Sequence, residues 1–322
     1  MDISIIIPVK NPSDPSLHDC IEGLRNQNFE GDYEVLIIKG GNVSQARNLG
    51  LKLAVAPIVA FIDADCVAPR WWLSSLYRAI NENPQVAGVG GLGISPPNSN
   101  TLAKATDYVY STFLGSIGKA SVLSNINSHQ RYVDGLSCHN SMFKKDILLK
   151  VKKFDERFEL NEDTELCLKL RKHGYRLLLL PRIYVWHKRS SNLKSFFKHL
   201  FRYGVGRQRS ILTNYEFFDR KLVFFIGLIF LLVFSLSITP WITAFFILLY
   251  FAYTALLGLR AALKEKSFKL MLYVPALFLI EHSAYLLGMI YGLVQGPWKT
   301  PHHQPELHRH FAFPVRAGER KK

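Results

Sequence analysis

Residues 222–259 are 38 consecutive positions without a single Asp, Glu, Lys or Arg. A helical bilayer span takes about 20 apolar residues, so this run holds nearly two, and the chain must include a membrane anchor. Thr239-Pro240 near the middle of the run marks a tight turn between two short spans, 222–239 and 241–259. A single kinked helix would overshoot the bilayer. A further run, 270–294, has Glu281 as its one charged residue and is expected as a third hydrophobic segment. Glu281 and His282 favour a segment facing protein or headgroups over one facing lipid. Arg260, Lys264, Lys266 and Lys269 make a basic cytoplasmic loop between the second and third segments. Three full crossings would put the tail, 297–322, outside. That tail carries six Lys/Arg against two Glu, and positive charge prefers the cytoplasm. The last segment therefore either overrides the rule or is re-entrant or interfacial.

The net charge is +15, which suits nucleic acid, a membrane surface or phosphorylated substrates. Its location decides between them. Residues 188–221 hold nine Lys/Arg and two acidic residues immediately before the first apolar run, as cytoplasmic flanks do, so nucleic acid is the weaker reading. Within this stretch Phe196, Phe197, Leu200, Phe201 and Tyr203 alternate with Lys198, His199, Arg202 and Arg207. Residues 195–209 thus read as an interfacial amphipathic helix, which would hold a neighbouring site close to the bilayer. Four scattered cysteines with no C-x-x-C pair make a zinc site or disulfide framework unexpected. Asp2 stands where a signal peptide would have a basic region, so none is expected.

The first 220 residues have the pattern of a soluble α/β protein. Strands are expected at 3–8, 33–38 and 59–63, alternating with amphipathic helices at 16–28, capped by Ser16, and at 44–56. This β-α-β-α-β order implies a parallel sheet covered by helices on both faces, with ligands at the carboxyl ends of its strands. Loops 8–11, 39–42 and 63–65 converge on that edge. Downstream are a helix over 69–83 opening with Trp71 and Trp72, and a glycine-rich strand over 86–94 whose backbone invites close approach. A helix over 102–117, a polar loop over 122–129 and a strand over 135–143 carrying His139 and Asn140 come next. Glu162-Asp163 open a helix that Gly174 ends, and strands follow at 175–180 and 184–187.

Two acidic pairs carry chemistry. Asp63 and Asp65 end the strand of VAFIDADC one residue apart, and in continued strand geometry both would point to one side. Like charges there call for a cation between them, and a divalent ion bearing phosphates fits oxygen ligands. An Asp-rich turn is the plain alternative. Glu162-Asp163 are equally what a helix first turn favours on dipole grounds alone.

The order of IIIPVKN, QARNLGLKLAVAPIVAFIDADC, CHNSMFKKD, FDERFELNEDTELCLKLRKHGYRL and the His of YVWH resembles the inverting family 2 glycosyltransferases, over roughly residues 3–187. The resemblance implies an α/β fold of GT-A type: a mostly parallel nucleotide-diphospho-sugar domain, then an interfacial helix and C-terminal transmembrane helices. It implies nucleotide-sugar contacts at Pro8, Lys10, Asn11, Lys39, Arg47 and Asp63, and a divalent metal, Mn²⁺ or Mg²⁺, on Asp65 and His187. It makes Asp163 the general base, with Glu162 beside it. Arg202 and Arg207 would offer cations to the diphosphate, and His139, Asn140 and Trp72 would face the acceptor. Two positions depart from the family pattern. Lys39-Gly40-Gly41 replaces an Asp-bearing turn, and Lys152-Lys153 replaces a Gly-Gly pair before Phe-Asp-Glu, implying a stiffer or differently docked loop.

The expected layout is a transferase domain at 1–190, a basic interfacial segment at 191–220, membrane segments within 221–296 and a basic tail. The expected activity is sugar transfer from a nucleotide donor to a hydroxyl of a lipid-linked or other membrane-associated acceptor at the cytoplasmic face. A polyprenyl-phosphate glycosyl synthase is the nearest rival, and its phosphate acceptor has no proton to remove. A processive polysaccharide synthase would carry more spans and a Q-x-x-R-W motif, where this chain has only GRQR. A non-catalytic membrane scaffold would not need Asp63, Asp65, Asp163 and His187 intact.

Overall fold

The computed structural model describes residues 1–116, 126–190, 192–218, 227, 234–235, 238–299 and 304–313. The chain divides into two compact units, Met1–Pro96 with Ala120–Lys188 and Lys299–Lys322, and Pro97–Lys119 with Arg189–Trp298. The expected contiguous layout is corrected at two places. The stretch after residue 96 falls in the second unit, and the tail in the first.

In the first unit β1 (Ile3–Val9), α1 (Pro15–Arg25), β2 (Tyr33–Lys39), α2 (Val43–Leu53) and β3 (Ile58–Ile62) reproduce the expected alternation. The cap of α1 is Asp14, not Ser16: its carboxylate accepts from the Ser16 backbone N–H at 2.9 Å, and Pro15 sits in the first turn. Helix α2 starts with a capping box between Asn42 and Gln45. It buries polar side chains because they are glued to one loop. Ser44 Oγ donates to the Phe158 carbonyl at 2.6 Å, and Asn48 Nδ2 to the Phe154 carbonyl at 2.9 Å.

The unit continues with β4 (Cys66–Val67), α3 (Trp72–Glu82), β5 (Val86–Ile94), β6 (Arg131–Tyr132), β7 (Asn140–Lys144), α6 (Lys145–Lys150), α7 (Glu162–Lys172), β8 (Arg176–His187) and β9 (Glu306–Phe313). The sheet order is β4-β8-β5-β7-β3-β1-β2-β9, with β6 beside β8. The sheet is mixed rather than mostly parallel. β1 runs parallel to β2 and β3, and β5 to β8, but β7 is antiparallel to both its neighbours and β9 to β2. The strand expected at 135–143 begins only at Asn140. The two strands expected at 175–180 and 184–187 are one, with Pro181 accommodated where the register to β5 shifts between Gly90 and Leu92. Apolar side chains fill both faces, with Ile3, Ile5 and Ile7 in one core and Ile6, Leu36, Phe61 and Phe143 in the other. Lys152 and Lys153 adopt the left-handed conformation themselves, at φ 64° and 55°, so the loop keeps a glycine-like path despite its side chains.

The second unit contains α4 (Thr101–Tyr110), α5 (Phe113–Ser116), α8 (Leu193–Thr213), α9 (Pro240–Glu265) and α10 (Lys269–Gln295). Leu102, Val109, Phe196, Leu200, Leu257, Val274 and Phe278 share one core. The helix expected over 102–117 stops at Tyr110, and residues 117–125, including most of the expected 122–129 loop, lie outside the described residues. α9 and α10, 26 and 27 residues long with mean hydropathies of 2.1 and 1.6, are long and apolar enough to cross a membrane. Pro240 opens α9, consistent with the turn at Thr239-Pro240. Most of the expected first segment, 222–239, lies outside the described residues. α8 crosses α10 where Gly204 meets the Tyr285 carbonyl and Gly288 meets that of Phe201, with no room for a Cβ on either. Its Phe196, Leu200 and Arg207 are buried, while Phe197, Lys198, Arg202 and Tyr203 form an exposed aromatic and basic face.

Candidate functional site

β3 ends at Ile62, and the Cys66 N–H closes a turn onto the Asp63 carbonyl at 3.0 Å. Strand geometry therefore does not persist through Asp65, and the two aspartates take different partners. Asp63 Oδ1 accepts from Arg47 Nη2 at 3.0 Å. Asp65 Oδ2 lies 3.4 Å from His187 Nε2, because the short β4 pairs Cys66 with His187. The Lys188 N–H also donates to the Asp65 carbonyl, at 3.3 Å. No sequence pattern marks this two-residue strand.

Arg47 joins this group to the second acidic pair. Its Nη1 is 2.5 Å from Glu162 Oε1, and its guanidinium lies over the edge-on Phe61–Phe154 ring pair, 5.9 and 5.7 Å from their centroids. Its side chain is 2% exposed. The expectation that Arg47 contacts the nucleotide does not fit this burial: its Nη1 donates to Glu162 and its Nη2 to Asp63, well below the surface. Glu162 is also buried, whereas Asp163 is partly exposed, its Oδ1 accepting from the Thr164 N–H at 2.6 Å. The hydrogen bonds of α2 to residues 154–158 fix this helix start against Arg47.

The electrostatics follow from crowding. Burial, opposed by Arg47 and reinforced by Asp65, raises the Asp63 carboxyl above its ordinary value. Burial, opposed by Arg47 and reinforced by Asp163, raises that of Glu162. Burial would raise Asp65 too, but the hydrogen bond and charge of His187 outweigh it and hold Asp65 low. Four carboxylates against one guanidinium leave a surplus of negative charge that a cation would relieve. Asp65, Cys66 and His187 offer ligand atoms within 4.8 Å of one another. A carboxylate with an imidazole suits a first-row transition ion such as Mn²⁺ better than Mg²⁺, which takes oxygen ligands.

His139 stands beside this pair. Its ring centroid is 5.0 Å from that of His187, and its Nδ1 is 2.7 Å from Ser137 Oγ. Both imidazoles rest on Gly93, where a Cβ would come 2.6 Å from His139 Nε2 and 3.1 Å from His187 Nδ1. Of the β5 glycines, Gly93 is the one the two histidines require. The acceptor expectation is corrected for Trp72 and Asn140. Both are fully buried, with Trp72 Nε1 donating to Asn140 Oδ1 at 2.8 Å and Asn140 Nδ2 to the Leu92 carbonyl at 2.9 Å. Trp71, packed edge-on to Tyr184, is the partly exposed member of the tryptophan pair. Pro8, Lys10 and Asn11 follow or end β1 on the expected edge, with Lys10 and Asn11 exposed. Lys39 ends β2 there, 3.4 Å from Glu306. Arg202 and Arg207 lie in the other unit, Arg207 buried with its guanidinium 5.8 Å from the Phe217 ring.

The profile of glycosyl transferase family group 2 matches residues 58–260. The chain belongs to this family. It is a glycosyltransferase. One curated relative is the dolichyl N-acetyl-alpha-D-glucosaminyl phosphate 3-beta-D-2,3-diacetamido-2,3-dideoxy-beta-D-glucuronosyltransferase of Methanococcus voltae, 26% identical over 91% of this chain and 98% of its own. Another is the succinoglycan biosynthesis protein ExoA of Rhizobium meliloti, 25% identical over 65% of this chain and 70% of its own. Among solved structures, the mannosyltransferase PcManGT from Pyrobaculum calidifontis, in complex with GDP-Man and Mn²⁺, superposes with a TM-score of 0.55. That match covers 87% of this chain and 86% of that one at 13% identity. The fold of this family 2 glycosyltransferase is therefore of GT-A type.

Proposed function

We propose that this glycosyltransferase moves a sugar, with inversion, from a nucleotide donor to a hydroxyl of a lipid-linked acceptor. The observation that carries the reading is the ion-paired chain Asp63–Arg47–Glu162, which ties the carboxyl ends of the nucleotide-side strands to the helix start bearing Asp163. Glu162 is buried and held by Arg47, so it positions the helix start. Asp163 is the member open to an acceptor. The acceptor oxygen bonds to the anomeric carbon as the bond from that carbon to the diphosphate oxygen breaks. Asp163 takes the hydroxyl proton, and the nucleoside diphosphate leaves. Asp65 and His187 would hold a divalent ion, which supplies charge stabilisation to the leaving diphosphate. The Methanococcus relative, named for a dolichyl-phosphate-linked sugar acceptor and matched over nearly its whole length, supports an acceptor of that class. Replacing Asp163 with Asn is expected to remove transfer and leave donor binding; persistent transfer would assign the proton to another group.

We further infer that the membrane is crossed an even number of times between Arg189 and β9. Support comes from β9, which shares a sheet with β1 and β2, so the chain returns to the side it left. Two crossings, by the segment 222–239 and by α9, keep the basic loop 260–269 and the tail with the catalytic unit, satisfying the charge rule throughout. α10, which contains Glu281 and packs on α4 and α8, is then the hydrophobic segment that does not cross. Labelling of single cysteines at Ser267 and Pro305 by a membrane-impermeant thiol reagent should fail from outside intact cells. External labelling of either would refute this topology.

A further inference from the structure

Cys66 is placed by the fold against both residues assigned to the metal. It follows Asp65 in the chain and stands directly opposite His187 in the β4–β8 ladder. Directly opposed residues of an antiparallel pair carry their side chains on one face, with Cβ atoms about 4.5–5.5 Å apart. The turn from Asp63 to Cys66 brings the Asp65 carboxylate to the same spot. Its Oδ2 lies 3.4 Å from His187 Nε2, and its Oδ1 accepts from the Cys66 thiol at 3.8 Å. Oxygen, nitrogen and sulfur are all within 4.8 Å of one another, and among the described residues this is the one such group of three.

These spacings are close to those of a coordination site. A tetrahedral ion holds sulfur at about 2.3 Å and nitrogen or oxygen at about 2.0–2.2 Å, which spaces the donors about 3.4–3.6 Å apart. Both carboxylate edges of the triangle are near that value. Cys66 is fully buried, whereas Asp65 and His187 are partly exposed. Sulfur is therefore the inner corner, and the remaining coordination positions open outward, where diphosphate oxygens would enter. A buried cysteine ordinarily packs as a small hydrophobe, and a thiol is a weak hydrogen-bond donor. Neither role calls for a carboxylate and an imidazole at its sulfur.

We propose that Cys66 is a third protein ligand of the metal, bound as thiolate, and that the site takes a thiophilic ion such as Zn²⁺ or Co²⁺ more tightly than Mn²⁺. The proposal rests on the donor-metal reading above. On binding, the bond from Sγ to the ion forms, the S–H bond breaks and its proton passes to water. Three protein ligands with an open position is the pattern of catalytic zinc sites. Thiolate is a soft ligand, so it steepens the preference for cobalt and zinc over manganese and sets the site against magnesium. The chain lacks a paired-cysteine motif, which argues against a site of several thiolates. It does not argue against one sulfur beside an imidazole and a carboxylate.

The test is titration of the detergent-solubilised full chain with Co²⁺ and with Mn²⁺, each alone and with inorganic pyrophosphate. Near-ultraviolet absorption reports sulfur bound to cobalt, and calorimetry reports affinity. The wild type is expected to develop a thiolate-to-cobalt charge-transfer band, to lose it on addition of Zn²⁺, and to bind Co²⁺ more tightly than Mn²⁺. Cys66→Ser should bind Co²⁺ without the band and at least about tenfold more weakly, since loss of even a ligand's outer support costs that much. Its Mn²⁺ affinity should fall less, a serine oxygen being an acceptable ligand for that ion. The wild-type band needs no variant to be read, and Cys66→Ala gives the same comparison where serine does not fold. Cobalt bound by the wild type without the band, or a band that persists in the Cys66 variants, would overturn the role of Cys66 and leave the donor metal standing. Failure of both ions to bind, with and without pyrophosphate, would overturn the donor-metal reading and this role together.

Discussion

Arg47→Met tests the link between the two halves of the site. Methionine fills much of the space Arg47 occupies beside the Phe61–Phe154 pair, so the loss is mainly electrostatic. It strips the partner from Glu162 at 2.5 Å and from Asp63 at 3.0 Å, with side chains 12% and 35% exposed. Breaking a buried pair by removing one partner costs about 3–5 kcal/mol, because a charge stays buried without compensation. For a unit of this size that corresponds to a fall of about 6–20 °C in Tm. Thermal unfolding of the solubilised chain, followed by tryptophan fluorescence, gives the number. Adding Glu162→Gln to Arg47→Met should recover part of the loss, because an uncharged amide needs no counter-ion. A Tm within 2 °C of wild type for Arg47→Met, or no recovery in the double variant, would refute the buried clamp.

Two other perturbations probe separate parts of the molecule. Gly93→Ala places a methyl group against His139 and His187 and should lower Mn²⁺ affinity about 10–100-fold, the usual effect of disturbing a ligand's support, with a wild-type Tm; titration of Mn²⁺ by electron paramagnetic resonance checks it. For Glu34, burial alone would raise the carboxyl, but hydrogen bonds from Ser4, Val55 and His310 outweigh it and hold it below its ordinary 4.5. A depressed carboxyl contributes stability that is present in full above the unfolded value and is lost as pH falls through the folded one. Glu34→Gln should therefore lower Tm at pH 7, by a margin that narrows as pH falls below 4.5; a margin that does not narrow anywhere in the acid range would contradict this.

Much of the site could be read from the chain because local patterns carry it. Strand residues Ile3–Val9 and Ile58–Ile62 are β-branched or apolar runs, Asp63 and Asp65 follow the second of them, and Glu162 and Asp163 open α7. What could not be read depends on contacts far apart in sequence. β7 and β9 become antiparallel members of the sheet through pairing with strands far away in the chain, and a basic tail gives no sign of the strand Glu306–Phe313 within it. Arg47 looked like a ligand-binding cation because its sequence neighbours are silent about Glu162, 115 positions away. Trp72 and Asn140 looked exposed to an acceptor for the same reason, since their hydrogen bond spans 68 positions. The packing of α8 on α10 rests on glycines whose role appears only when the helices meet.

The central claim is a division of labour between Asp65, serving the donor diphosphate, and Asp163, serving the acceptor proton. It is tested most directly by measuring Mn²⁺-dependent donor binding and single-turnover transfer side by side in Asp65→Asn and Asp163→Asn. The account predicts that Asp163→Asn binds donor as the wild type does and transfers at least about 10²-fold more slowly, while Asp65→Asn loses the Mn²⁺ dependence of donor binding itself. Unimpaired transfer in Asp163→Asn, or unchanged Mn²⁺-dependent binding in Asp65→Asn, would contradict it.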